Sequence, residues 1–474
     1  MPAVAIRVEK GSTQLESETS NADEEQNFSL PLPLAPFEAY MLADHRDDYP
    51  MHFYCRLVLQ GSLHREILVQ SLTESVERHP LLRAKIRPRF GRSPVWDSGA
   101  EICLRDCQHE FDDLSEVLRT PGIDLCTEAG LRTWLFQGAS NVQLLFEFHH
   151  SCCDGLGALM FLEDVLVTYD KLVHGKNAED EVVQDTGLSS RAAIPLTVGQ
   201  AVRKIPLDVK DFFRILFRQP AIVSEASKSP GISEKDGNSQ LSAFLNHQFS
   251  PAELNALLAA ARSRSTTLNS ILMRDVYRSL DQWMCQCGDL THRWIRMGVP
   301  ASTRADGKAV NTCCNQVTIM FLDQHSSDIR NSDSLLDQVT QLTRFHRESN
   351  IWYSMLQLLD FLAVFPPLLR LYLRTNRRMC TTILSNLGRA FELCPLSRKE
   401  GQLIVGNMQL TSLDFFSPLR PGTDVTFAVV TYAGSLSLCM HYKPNRIAEA
   451  QARELFDRLV RNVRESTELE PTAT

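Results

Sequence analysis

The run His149-His150-Ser151-Cys152-Cys153-Asp154-Gly155 gathers two imidazoles, a carboxylate and a glycine in one short stretch. The residues before it, 142–150 (VQLLFEFHH), read as a strand, and the apolar spacing of 156–172 predicts an amphipathic helix. Side chains alternate along a strand, so His149 and His150 face opposite ways and only one can look into a given cavity. His150 shares its face with Leu144, Phe146 and Phe148. An imidazole at the end of an apolar strand face, followed by a turn, is well placed to act as a general base near neutral pH. Asp154 is close enough to fix the turn or pair with a cation, and Gly155 lets the chain bend. The plain alternative is two structural histidines beside a turn. The fixed spacing in a strand–turn–helix setting favours the chemical reading.

The elements that must position this run are spread along the whole chain. Strands are expected at 52–60 and from 81 to 86, separated by a helix at 63–78 that Pro80 cannot continue. The stretch 174–240 is polar and charged and reads as a connection, with an apolar, basic helical patch at 208–218 (DVKDFFRILFR). Ser250-Pro251-Ala252-Glu253 is a helix start, with Ser as cap, Pro first and Glu third. A helix at 267–284, strands at 294–299, 314–321, 380–386, 427–431 and 436–442, and a last helix at 448–464 follow. The pattern predicts an α/β (α+β layered) protein of two similar halves. The expected division is a disordered acidic tail (1–27), a first half (28–175), a partly helical connection (176–243) and a second half (244–474). The apolar stretch 355–373 carries Asp360, Arg370 and a Pro-Pro pair, so it is expected to be buried or to lie on a surface rather than to span a membrane.

Composition narrows the classes. The 474 residues are 43% hydrophobic and 22% charged, ordinary values for a globular chain. A net charge of -8 argues against nucleic acid as a partner, because phosphate binding needs a basic excess. The 13 cysteines include two neighbouring pairs and read as reduced, mostly buried thiols of a cytoplasmic protein. Neither Cys285, Cys287 and His292 nor Cys103, Cys107 and His109 has the spacing of a structural zinc site, and no metal is expected.

The run 149–155 resembles the H-H-x-x-x-D-G motif of the chloramphenicol-acetyltransferase-like superfamily. That superfamily also holds non-ribosomal peptide condensation domains, wax ester synthases, polyketide-associated acyltransferases and fungal-type alcohol acetyltransferases. The likeness extends to 34–40 (LAPFEAY), 75–83 (SVERHPLLR), 299–304 (VPASTR), Asn315-Gln316 and 385–388 (SNLG). It implies a V-shaped pseudo-dimer of two chloramphenicol-acetyltransferase-like subdomains with a central tunnel. In that frame His150 takes the proton from an acceptor hydroxyl or amine, which attacks a thioester without a covalent acyl-enzyme. His149 is structural. Asp154 pairs with an arginine, for which Arg304 is the candidate, and Gly155 matches the motif glycine. Asn315, Ser385 and Asn386 are expected near the tunnel. No permanently bound cofactor is implied; acyl-CoA or a phosphopantetheine thioester is the co-substrate.

The sequence also departs from its relatives. The D-F-G-W-G motif of plant-type acyltransferases has at most a remnant at 413–417 (LDFFS), and the first condensation-domain motif is imperfect. Arg370, Arg374, Arg377 and Arg378 follow an apolar run and could bind coenzyme A phosphates or touch a membrane, or form a solvated helix end. The expected function is acyl transfer from a thioester to a small-molecule alcohol or amine by a monomer. The alternatives are a stand-alone condensation domain served by an acyl carrier protein and a non-catalytic binding descendant of the fold.

Overall fold

The apolar alternation of the first half lays two strands side by side, His52–Gln60 antiparallel to Asn141–His149, with His52 opposite His149. The computed structural model describes residues 30–468, apart from 91, 103, 108–113, 139, 176–187, 189–190, 192–206, 209, 212, 216, 227–241, 289–292, 305–312, 331 and 364–377. The two strands sit inside a seven-stranded sheet that continues on one side through Leu131–Gln137 to Leu104–Cys107. Two helices cover it. Arg65–Glu77 buries Leu68, Leu72 and Val76, and Gly155–Val173 buries Ala158, Phe161, Leu162, Val165 and Tyr169, both at helical spacing. A small sheet of Leu32–Pro33, Arg92–Gly99 and Ala84–Arg89 lies apart.

The second large sheet has six strands in the order Val317–His325, Trp294–Ser302, Thr382–Arg389, Val425–Tyr432, Ser435–Tyr442 and Ala243–Phe249. Helices Pro251–Ser263, Leu268–Cys287, Ser332–Glu348 and Glu449–Glu465 accompany it. Ser250 caps the first of these in a capping box with Glu253, as its spacing predicts.

The halves are interlocked. Strands Arg398–Lys399, Gln402–Val405 and Met408–Phe416, from the C-terminal part of the chain, complete the seven-stranded sheet beside His52–Gln60. Asp414 stands opposite Arg56 in that pairing and takes its guanidinium at 2.6 Å. The same carboxylate accepts from the Ser437 hydroxyl in the other sheet. Tyr432 links the two layers again: its hydroxyl donates to the Leu410 carbonyl at 2.9 Å and accepts from the Leu403 N–H at 2.8 Å.

Two expected strands begin later than the sequence implies. Pro80–Arg83 is a helical turn with Pro at its first position, so the strand starts at Ala84. The strand expected from residue 314 starts at Val317, because Asn315 and Gln316 are engaged with the turn after His150. The tail 1–27 lies outside the described residues.

A fragment of residues 28–243 would lack three of the seven strands and expose the His52–Gln60 edge. Alone, it is expected to aggregate or to melt without cooperativity, whereas the full chain melts in one transition followed by circular dichroism and tryptophan fluorescence. A cooperatively folding fragment, or two separated transitions in the full chain, would refute the interlock.

Candidate active site

The Asn141–His149 strand runs one residue further as a ladder: the His150 N–H donates to the Met51 carbonyl at 2.8 Å. The chain then turns, with the Cys152 N–H on the His149 carbonyl at 2.9 Å. Asn315, from the second half, donates its amide to the carbonyls of His150 (2.8 Å) and Ser151 (3.0 Å). The His150 ring stands edge-on to Phe53 and Phe37, with centroids 5.2 and 6.1 Å away. Its Nδ1 is buried without a hydrogen-bond partner, and the residue lines a cavity. Burial pushes the imidazole below its ordinary pKa, which keeps the ring neutral and basic at pH 7.

Asp154 caps the helix Gly155–Val173, with Oδ1 accepting from the Gly157 N–H at 2.8 Å. Its Oδ2 accepts from Arg304 Nη1 at 2.7 Å and from the Gln316 N–H at 2.8 Å. Arg304 also donates to the Cys314 carbonyl at 3.0 Å. Gly155 owes its place to close packing rather than to a bend: its φ is not positive, and a Cβ there would meet the Phe415 ring at 3.1 Å and Leu387 at 3.3 Å. Gly157, which the sequence reading passed over, is as tightly placed, 3.1 Å from the Cys314 backbone.

His149 turns to the opposite side, into a group with His45 and His52 whose ring nitrogens lie within 4.8 Å of one another. The Ser151 N–H donates to His149 Nδ1 (3.1 Å), so the ring proton sits on Nε2 and points to His45 Nδ1 (3.0 Å). The Ile123 N–H donates to His52 Nε2 (3.0 Å), so His52 Nδ1 donates to Glu147 (2.8 Å). Burial raises the Glu147 carboxyl, but the His52 and Arg132 donors outweigh it and hold it below its ordinary value. Burial and the neighbouring imidazoles lower His149 well below 6.5 and His45 to about 4. A metal would need the His149 Nε2 lone pair, which this hydrogen-bond pattern fills with a proton. The three rings therefore form a hydrogen-bonded network behind the turn. Cys285 and Cys287 lie at the end of the helix Leu268–Cys287, while Cys103, His109 and His292 fall outside the described residues.

A cavity open to solvent lies where the halves meet. His150, Asp154, Gly155 and Leu156 line it from one half, and Ser302, Arg304, Ser385 and Asn386 from the other. Asn315 acts from behind through the turn. Asn386 is exposed, with its amide 3.2 Å from Asn269. Ser417 donates its hydroxyl to Ser385 at 2.8 Å, which leaves the Ser385 proton for the cavity. Phe415 and Ser417, within the stretch read as at most a motif remnant, line the cavity too. No local signal marks them, since the crossing strand that carries them is placed by distant pairing. Arg370, Arg374 and Arg377 lie outside the described residues, and Arg378 pairs with Glu225 on the surface. Among the described residues, the only charged side chains lining the cavity are Asp154 and Arg304, and they neutralise each other.

No family model matches the chain. Among curated proteins it resembles bacitracin synthase 3 of Bacillus licheniformis (25% identical over 168 residues, 31% of this chain) and bacitracin synthase 1 of the same organism (27% over 166 residues, 31%). The matches cover 2% and 3% of those proteins. Among solved structures it resembles the epimerization domain from the third module of tyrocidine synthetase B, with a TM-score of 0.64 and 14% identity, covering 93% of this chain and 97% of that one. The trichothecene 15-O-acetyltransferase of Fusarium sporotrichioides gives a TM-score of 0.65 at 12% identity, covering 92% and 95%. The first condensation domain of the CDA synthetase gives 0.61 at 14%, covering 94% and 98%. At these identities the likeness is one of architecture: the chain has the mixed α/β fold shared by condensation domains and chloramphenicol-acetyltransferase-like acyltransferases.

Proposed function

We propose that this protein transfers an acyl group from a thioester to a neutral, largely apolar alcohol, with His150 as general base. One observation carries the reading: a neutral imidazole, pinned by its backbone from both halves, faces a cavity whose only lining charges among the described residues cancel. An ammonium acceptor would need a carboxylate there, and a free carboxylate acceptor would need a cation; Asp154 and Arg304 are each already committed. Leu156, Pro300, Val317, Leu387, Phe415 and Pro418 supply the apolar part of the wall.

The steps follow from the donors present. His150 Nε2 takes the hydroxyl proton as the oxygen attacks the thioester carbonyl. Charge gathers on the former carbonyl oxygen, and the Ser385 O–H, polarised by the Ser417 hydroxyl behind it, is the donor available in the cavity wall. Collapse expels the thiolate, which recovers the proton from His150. Cys152 and Cys153 have no part in this, because burial raises both thiols well above their ordinary range. The likeness to condensation domains favours a second reading, amide formation between carrier-bound substrates.

Released thiol, followed with coenzyme A thioesters of graded length and pooled alcohols and amines, tests both. We expect alcohol-dependent release, reduced by about 10²–10⁴-fold in a folded His150→Ala variant. Amine-dependent release would favour the second reading. No release with coenzyme A or carrier-bound donors would leave a binding protein.

The pH dependence is separable. His150 must be unprotonated to act, and burial lowers its pKa, so the acid limb of kcat/KM should fall below pH 6.5. A limb at or above that value would oppose the assignment. Stability moves independently. His45 binds its proton near 6.5 when unfolded but only at about 4 when folded. Stability is therefore level above pH 6.5 and declines as pH falls from there towards 4. Urea melts across that window should show the decline, and a His45→Gln variant should lessen it.

Asp154→Ala strands the buried Arg304 guanidinium and uncaps a helix, so a loss of roughly 3–5 kcal/mol is expected in urea melts, together with activity. Asp154→Asn keeps the cap acceptor and should retain more stability. Equal losses in both variants would mean that the cap counts for nothing.

A further inference from the structure

The surface helical segment whose described residues are 207, 208, 210, 211, 213–215 and 217 does not contribute to the cavity. Lys210, Phe213, Arg214 and Phe217 stand three, four and seven residues along it, which is one stripe of a helix. Lys210, Phe213 and Phe217 face outward: Phe217 is 73% exposed and Phe213 49%. Their rings lie parallel, 5.7 Å apart. With Arg218 and Trp294 they line a shallow surface groove, in which the Arg218 guanidinium sits 3.6 Å from the Trp294 ring centre.

The opposite side of the helix is firmly docked. Arg296, with no exposed surface, donates to the carbonyls of Arg214 (3.3 Å), Ile215 (3.3 Å) and Arg218 (3.1 Å). Arg214 donates to the Phe321 carbonyl at 2.7 Å, and Ile215 packs on the apolar cluster of Phe321, Met355 and Met379. The aromatic stripe is therefore held outward by a buried anchor.

Charge gives the stripe a sign. Arg214, Arg218 and Arg296 share Asp323, which is almost fully buried, and Arg214 also takes Asp211. Asp208 is turned to the Ser354 hydroxyl. With Lys210 on the rim and the buried Arg296 included, the cluster holds one more cation than carboxylates, in a chain whose net charge is -8. Exposed phenylalanines beside a tryptophan, rimmed by lysine and arginine, suit the boundary between lipid headgroups and acyl chains. A nucleic acid would call for a longer basic track and no apolar stripe. Among the described residues no helix is long and apolar enough to cross a membrane, so the contact lies in the plane of the surface.

We propose that the outward face of this helical segment is a docking surface for an anionic phospholipid bilayer, with Phe213 and Phe217 entering the headgroup region and Lys210 and Arg218 meeting lipid phosphates. The inference stands independently of the acyltransferase reading.

Flotation of the full chain with phosphatidylcholine vesicles, with and without about a quarter phosphatidylglycerol, tests it. The protein should float with the anionic vesicles, less so at high salt. The double variant Phe213→Ser/Phe217→Ser should bind roughly tenfold more weakly or worse. Lys210→Glu should weaken binding while leaving the melting temperature unchanged, and melts of the double variant would confirm that it folds. A wild-type chain that stays unbound overturns the proposal, as does a double variant that floats equally. Equal binding to pure phosphatidylcholine removes the anionic headgroup from it. A wild-type dimer that the double variant converts to monomer, with no flotation, makes the face a contact between two copies and overturns it too.

Discussion

Asp154 is the joint on which the site depends. One of its oxygens holds the first turn of the Gly155–Val173 helix, and the other holds Arg304 and the Gln316 N–H of the opposite half. A buried ion pair of this kind adds little net stability over apolar packing, because both partners give up hydration. What it fixes is distance. With Gln316 seated on Asp154, the neighbouring Asn315 reaches the carbonyls of His150 and Ser151. The placement of His150 thus follows from a carboxylate whose two oxygens are both engaged in holding backbone and arginine.

The turn is also braced from behind. His149 cannot rotate without breaking the Ser151 N–H bond and the contact to His45, and His52 ties the same network to the buried Glu147. Cys152 and Cys153 fill the space beneath with no exposed surface. Gly130 makes that packing possible, since a Cβ there would come within 2.0 Å of the Cys152 sulfur. The lowered pKa of His150 comes mainly from burial, with Asp154 and its own backbone pulling the other way.

The legible parts of the sequence were those set by short-range spacing. Strand, turn, cap and helix around 141–173 follow from alternation, an Asp and helical periodicity, and the structure has each within a residue or two. Arg304 lies 150 positions from Asp154 and could be named only through resemblance to other proteins. The strand Met408–Phe416 was missed because its partner is His52–Gln60, and nothing local to 408–416 announces that pairing. Phe415 and Ser417 went unrecognised with it. His45 and His52 were equally silent, since each acquires its role only when His52 falls opposite His149 in register. Gly155 was noticed for the wrong reason: the constraint is the Phe415 ring above it.

The crossing strand makes the cavity wall unequal. Phe415 belongs to the same strand as Asp414, which bonds to Arg56 in one sheet and Ser437 in the other, and the Ser417 carbonyl just beyond accepts from Thr426 and His441. Changes there would disturb the lock between the halves along with the shape of the site. Ser302, Asn386 and Leu387 lie at or near strand ends, and substitutions at these positions would reshape the cavity without touching that lock. Changes in the shape of the cavity would therefore be accommodated more freely on the 300–302 and 385–387 side, while the Phe415 side stays fixed by the fold.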